Sequence, residues 1–205
     1  MKINDIFYLE TTLSKLFFPM TLMIKVIKME DRTVIKTINA EGIIGQHGYR
    51  VSRLCVSMGR QLGLTERAIT ELSIAGLFHD LGKIAVCRAI LEKPGKLTTE
   101  EYTEIKRHSE IGYRILGSVR GMENMAEFVL YHHERWDGKG YPRQLKGGEI
   151  PLYSRVIGLA DAYDAMTNNR SYRKALSKKA AIQELLRNSG TQFDPELVGE
   201  FIKTL

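Results

Sequence analysis

A chain of 205 residues with 43% hydrophobic side chains is the size of one domain, with enough apolar surface to fold around its own core. The formal charge of +6 favours a phosphate-bearing ligand, but Lys and Arg are scattered, without the basic stripe or groove-binding motif of a duplex reader, so duplex nucleic acid is excluded as a partner. Cys55 and Cys87 form no CxxC pair, which excludes a disulfide framework and points to a reducing cytoplasm. The apolar stretch 17–24 contains Pro19, meets Lys25 and Lys28, and falls short of the ~20 residues of a membrane span, and no secretory signal is evident.

Residues 1–45 read differently from the rest. Leu13, Leu16, Met20, Met23 and Ile27 are spaced for one amphipathic helix, while 33–38 alternate like a short strand. Three roles stay open for this segment: packing on the body, mediating a homodimer, or standing as the remnant of a sensory domain.

From His47 onward the pattern is helical. Val51, Leu54, Cys55, Met58 and Leu62 recur at three- and four-residue spacing until Gly63 stops the helix. Thr65 and Glu66 open the next, with Ile69, Leu72, Ala75, Gly76 and His79 on one face and its end expected at Gly82. Pro94-Gly95-Lys96 is a turn, and Thr98 or Thr99 with Glu101 caps a helix carrying His108, Ile111, Ile115 and Leu116. After Gly117 and Gly121 another helix is expected to run through Met125, Phe128, Val129 and Leu130 to His132 and His133. Residues 136–151, rich in Gly and charge, read as a loop of functional length. A long helix then carries Asp161 and Asp164, and Ser177 and Asp194-Pro195 begin the last two.

The chain has five histidines, and three of them adjoin a carboxylate or another histidine. Imidazole nitrogen and carboxylate oxygen are the ligands that Mn, Fe, Zn or Ni accept. His47, His79, Asp80, His108, His132, His133 and Asp161 supply seven candidates, too many for one tetrahedral zinc, and none is a cysteine. The set suits two octahedral ions sharing a bridging Asp and a bridging water or hydroxide, a recurrent device for phosphate-ester hydrolysis. His79 and Asp80 project about 100° apart on a helix, so one serves as a terminal ligand and the other as a bridge. Lys83 lies on the side of His79 and suits a bound phosphate.

Plainer explanations exist for each group. His47 alone reads as a surface or capping histidine, His79-Asp80 as a hydrogen-bonded pair ending a buried helix, and His108 within Lys106-Arg107-His108 as solvated charge. Asp161 and Asp164, three apart, equally fit a solvated stripe, although Ala160, Ala162 and Ala165 imply close packing. Arg170 and Arg173 read as salt-bridge partners or as a phosphate clamp. His132-His133 resists such a reading, because adjacent protonated imidazoles repel and a metal relieves that repulsion.

Three ordered motifs now stand together: His79-Asp80-Leu81-Gly82-Lys83-Ile84, then His132 through Pro142, then Ala160-Asp161-Ala162-Tyr163-Asp164-Ala165-Met166-Thr167. They resemble the HD-GYP branch of the HD-domain phosphohydrolases over residues 45–205. The resemblance implies an all-α helical bundle over 46–205, with 1–45 as an N-terminal appendage. It also implies hydrolysis of cyclic di-GMP to the linear dinucleotide, and in a second cut to mononucleotide, at a two- or three-metal site. On that resemblance the seven residues named above match the family's metal ligands, and Lys83 its phosphate-contacting lysine. Gly140-Tyr141-Pro142 matches the namesake loop, with Tyr141 and Pro142 beside the nucleotide, and Arg170 and Arg173 fall where relatives approach the ligand. Asp164 looks like a group that orients a ligand or the water. Trimetal members resemble one another in a glutamate four residues before the first histidine; here Ile43 stands there, so two divalent ions are expected, Fe or Mn ahead of Ni, Co or Zn. Ser109 replaces the usual proline after the third histidine, a change expected to touch helix geometry more than ligation. Another cyclic dinucleotide or nucleotide ester as substrate, and a cyclic di-GMP sensor acting through a signalling partner protein, are the alternatives.

Overall fold

A computed structural model describes residues 23–28, 33–169 and 174–205, with side chains from 45–169 and 174–205. Two strands, β1 (Met23–Lys28) and β2 (Thr33–Asn39), pair antiparallel ahead of the helical body. The strand expected over 33–38 is therefore present. Met23 and Ile27 belong to β1 and not to a helix, whereas Leu13, Leu16 and Met20 lie outside the described residues.

The body is all-helical. α1 (Ala40–Gln61) bends at Gly45 (φ 52°, ψ 175°), two residues before His47, and α2 (Glu66–Phe78) returns against it after Gly63. Thr65 caps α2 by accepting from the Ala68 amide at 3.3 Å. α2 ends at Phe78 with His79 as its cap, earlier than Gly82, because the chain tightens into a 3-10 turn over Leu81–Ala85. A short α3 (Arg88–Leu91) precedes α4 (Thr99–Lys106), which opens on a reciprocal Thr98–Glu101 capping box. The single helix expected from Thr98 through Leu116 is divided at Arg107 into α4 and α5 (His108–Gly117).

α6 (Glu123–Leu130) stops two residues before His132, so both adjacent histidines stand in the turn beyond the helix and not on it. The loop expected over 136–151 is present and begins earlier, at 131, with one 3-10 turn over Gly147–Glu149. α7 (Leu152–Thr167), α8 (Lys178–Arg187) and α9 (Pro195–Thr204) complete the chain, the last two capped by Ser177 and Asp194. Asp194 also accepts from Arg155 of α7 at 2.6 Å, joining two elements through one carboxylate.

The core is one cluster drawn from most of these helices, including Val51, Cys55 and Met58 of α1, Leu72 and Ala75 of α2, Val129 of α6, Ile157 of α7 and Phe201 of α9, all fully buried. Burying a side chain of this kind contributes about 1.5–3 kcal/mol, so α1, α2, α6 and α7 are held firmly where their ends meet. That meeting point carries the histidines. Among the described residues no helix is long and apolar enough to cross a membrane.

Candidate metal centre

Five segments deliver the candidate ligands: His47 from α1, His79 and Asp80 from the end of α2, His108 from the start of α5, His132 and His133 from the turn after α6, and Asp161 from α7. The structure brings all seven together. Ligand atoms of Asp80, His108, His132 and His133 lie within 4.8 Å of one another, as do those of His47, His79 and Asp80.

Asp80 belongs to both groups. Its Oδ2 lies 3.6 Å from His79 Nε2 and 3.9 Å from His47 Nε2, while its Oδ1 lies 3.6 Å from His108 Nε2. Asp161 Oδ1 sits 3.1 Å from His47 Nε2 and 3.8 Å from His79 Nε2. The carboxylate thus turns one oxygen toward each cluster.

The imidazole protons are directed away from this centre. His79 Nδ1 donates to Gly76 O at 2.7 Å, His108 Nδ1 to Ile105 O at 2.6 Å, and His132 Nδ1 to Val129 O at 2.5 Å. A carbonyl only accepts, so each of these bonds fixes the proton on Nδ1 and leaves Nε2 a lone pair when the ring is neutral. His47 Nδ1 is likewise held by Asp164 Oδ2 at 2.6 Å. Hence Nε2 atoms of His108 and His132 face each other at 3.4 Å, and those of His47 and His79 at 3.3 Å. Between the neutral His108 and His132 rings two lone pairs are opposed at that distance and repel, and a cation resolves them; His47 instead directs an Nε2 proton at Asp161 Oδ1, 3.1 Å away.

The charge states agree with this donor set. Burial pushes the His108 and His132 imidazoles below their ordinary range, and His133 down to about 3, so these rings are neutral at physiological pH. Burial pushes the Asp80 carboxyl up, but His79, Lys83 and His108 together hold it well below the usual carboxylate range; the His47 hydrogen bond and His79 do the same for Asp161. Burial would depress His47, yet its hydrogen bonds to Asp161 and Asp164 raise it to about 9. The neutral nitrogens of His108, His132 and His133 beside ionised oxygens fit a divalent cation, which at His47 takes the place of the extra proton.

Two glycines let the ligand segments approach. A Cβ on Gly82 would lie 1.9 Å from His108 O, and one on Gly158 2.6 Å from His132 O. Gly82 is not the terminator of α2 that its place in the sequence predicts; the close contact with the start of α5 is what requires it.

Lys83 Nζ donates to Asp80 Oδ2 at 2.6 Å and also lines a cleft of about 450 Å³, within the size range of small-molecule sites. His108, His132, His133, Asp161 and Tyr141 line the same cleft. The Tyr141 ring lies 4.8 Å from the His133 ring, and the Tyr141-Pro142 peptide is cis. Glu134, buried, accepts from the amides of Arg143 and Leu145 and so pins the loop that carries Tyr141 and Pro142. Ser109 is buried on α5 and donates to Lys106 O at 3.1 Å. Arg170 and Arg173 lie outside the described residues.

Asp164 takes a different position from the ligands. It is 3% exposed and accepts from His47, from Arg50 Nε and Nη2 at 2.6 and 2.9 Å, and from Asn168. Arg50 escaped sequence reading. Its spacing of three from His47, on one helical face, was the available signal.

Comparison with known proteins follows the same line: the family described as "HD domain" matches residues 22–197. The chain belongs to the HD-domain family. Its motifs are those of the HD-GYP branch. This HD domain is 41% identical over 160 residues to a cyclic di-GMP phosphodiesterase of Thermotoga maritima, covering 77% of this chain and 44% of that protein. It is 40% identical over 156 residues to the cyclic di-GMP phosphodiesterase response regulator RpfG of Xanthomonas campestris, covering 75% and 41%. The HD-domain chain spans less than half the length of these relatives. The crystal structure of a cyclic GMP-AMP specific phosphodiesterase of V. cholerae shares the fold with a TM-score of 0.62 at 24% identity, covering 80% of this chain and 44% of that one.

Proposed function

We propose that this HD domain is a metal-dependent phosphodiesterase that opens cyclic di-GMP to its linear dinucleotide. One observation supports it above the others: Asp80 divides its two oxygens between two ligand groups, with the Lys83 ammonium at its side and a cleft in front. His47, His79, Asp80 and Asp161 would hold one divalent cation, and Asp80, His108, His132 and His133 the other. When bound, the two cations supply Lewis-acid charge and an activated water for attack on phosphorus. Fe or Mn suits the mixed His and carboxylate donors.

The chain's own groups have separate tasks. The carbonyls of Gly76, Ile105 and Val129 orient the rings of His79, His108 and His132. Asp164, fixed by Arg50, positions His47. Lys83, already in the cleft, meets the phosphate's non-bridging oxygens as negative charge develops. Tyr141 and Pro142 border the nucleotide, and Arg170 and Arg173 supply positive charge for it. Residues 1–45 form an appended segment through which a homodimer or a signalling partner acts, and a reducing cytoplasm is the setting.

Relatives named for cyclic di-GMP and for cyclic GMP-AMP both occur, so the second cyclic dinucleotide is the competing substrate. Metal-loaded protein incubated with each and resolved by chromatography tests the proposal. Linear dinucleotide released from cyclic di-GMP is the expected result. Tight binding without product overturns hydrolysis in favour of a sensor.

A further inference from the structure

The cleft has an outer wall that none of the three motifs marks. Tyr102 and Lys106, one helical turn apart on α4, both line it opposite Tyr141. Lys106 Nζ lies 4.5 Å from the centre of the Tyr102 ring and 5.4 Å from that of Tyr141, whose other neighbour is the His133 ring. The ammonium is thereby fixed one aromatic ring away from the metal-ligand cluster.

Its surroundings set it apart from its neighbours. Lys83, Arg135 and Arg155 line the same cleft, and each is paired with a carboxylate, on Asp80, Asp137 and Asp194; Lys139 also lines it, near the Asp137 carboxylate and with no aromatic ring against it among the described residues. Lys106 makes no ion pair among the described residues. Aromatic faces hold an ammonium in place without cancelling its charge, so Lys106 keeps a full positive charge for a ligand. Tyr102, 48% exposed, also keeps ring surface available for stacking.

A cyclic dinucleotide carries two phosphates on one ring. If one sits at Lys83 and the ligand cluster, the other falls elsewhere in the cleft and needs a cation of its own. We infer that Lys106, seated between Tyr102 and Tyr141, binds the phosphate that is not being cleaved and so selects a cyclic dinucleotide over a simple phosphate diester. This rests on the phosphodiesterase reading above.

The test compares metal-loaded wild type, Lys106→Gln and Lys106→Arg on cyclic di-GMP and on bis(p-nitrophenyl) phosphate, which has a single phosphate. For Lys106→Gln, kcat/KM on the cyclic dinucleotide is expected to fall about tenfold or more beyond any fall on the small diester, mainly through KM. Lys106→Arg is expected to recover most of it. If the protein binds the dinucleotide without cleaving it, the same comparison is read on Kd. Equal losses on both substrates, or no loss, overturn the role of Lys106 alone. Wild type that cleaves the small diester and neither cleaves nor binds a cyclic dinucleotide ends the functional reading, and this inference with it.

Discussion

His108 and His132 face each other through Nε2 at 3.4 Å, each with its Nδ1 proton committed to a backbone carbonyl. The native fold therefore stores a repulsion that a divalent cation removes. Titrating Mn(II) or Fe(II) into chelated protein should raise Tm by about 5–10 °C at a hundredfold excess over Kd, since that excess contributes about 2.7 kcal/mol to a chain of this size. An unchanged Tm over the whole titration would mean that the folded chain has no such site.

Metal-free protein should be most stable near pH 6.5. His133, lowered to about 3, and the lowered His108 and His132 stay neutral in the fold while the unfolded chain takes up protons below about 6.5, so stability falls as pH drops from there. His47, raised to about 9, acts with the opposite sign: its contribution is complete below 6.5 and is lost as pH rises through 9. Thermal melts in chelator at pH 4.5, 6.5 and 9.5 check this, with the highest Tm expected at the middle value.

Gly158→Ala and Gly82→Ala place a methyl against His132 O and His108 O, at 2.6 and 1.9 Å before relaxation. Each should cost about 1–3 kcal/mol in urea unfolding and weaken metal binding, because relief requires moving a ligand-bearing segment. Gly148→Ala, with no atom within 4 Å of the new methyl, should stay within about 0.5 kcal/mol of wild type.

Cys55 is fully buried, and burial pushes its thiol well above the ordinary range, whereas Cys87 is exposed. Iodoacetamide should modify one thiol per native chain, at Cys87, and reach Cys55 only on denaturation. Mass spectrometry of the digest reads both sites.

Sequence made the helical body and the ligand set legible, because apolar spacing marks helix faces and His79-Asp80 and His132-His133 are adjacent in the chain. Local propensity did not show where the helices stop. α2 ends at Phe78 because the following turn brings Gly82 against His108 O, a contact made across 26 residues. Arg50 was hidden for a similar reason: its partner Asp164 lies on α7, and only the packing of α1 on α7 joins them. Lys106 read as solvated charge until the fold set Tyr141 beside it.

Metal content of wild type and Asp80→Ala, measured on protein loaded under the same conditions, tests the shared carboxylate most directly. Two ions per wild-type chain are expected, with both depleted and turnover abolished in Asp80→Ala. Full occupancy and retained activity in that variant would contradict a centre built around Asp80.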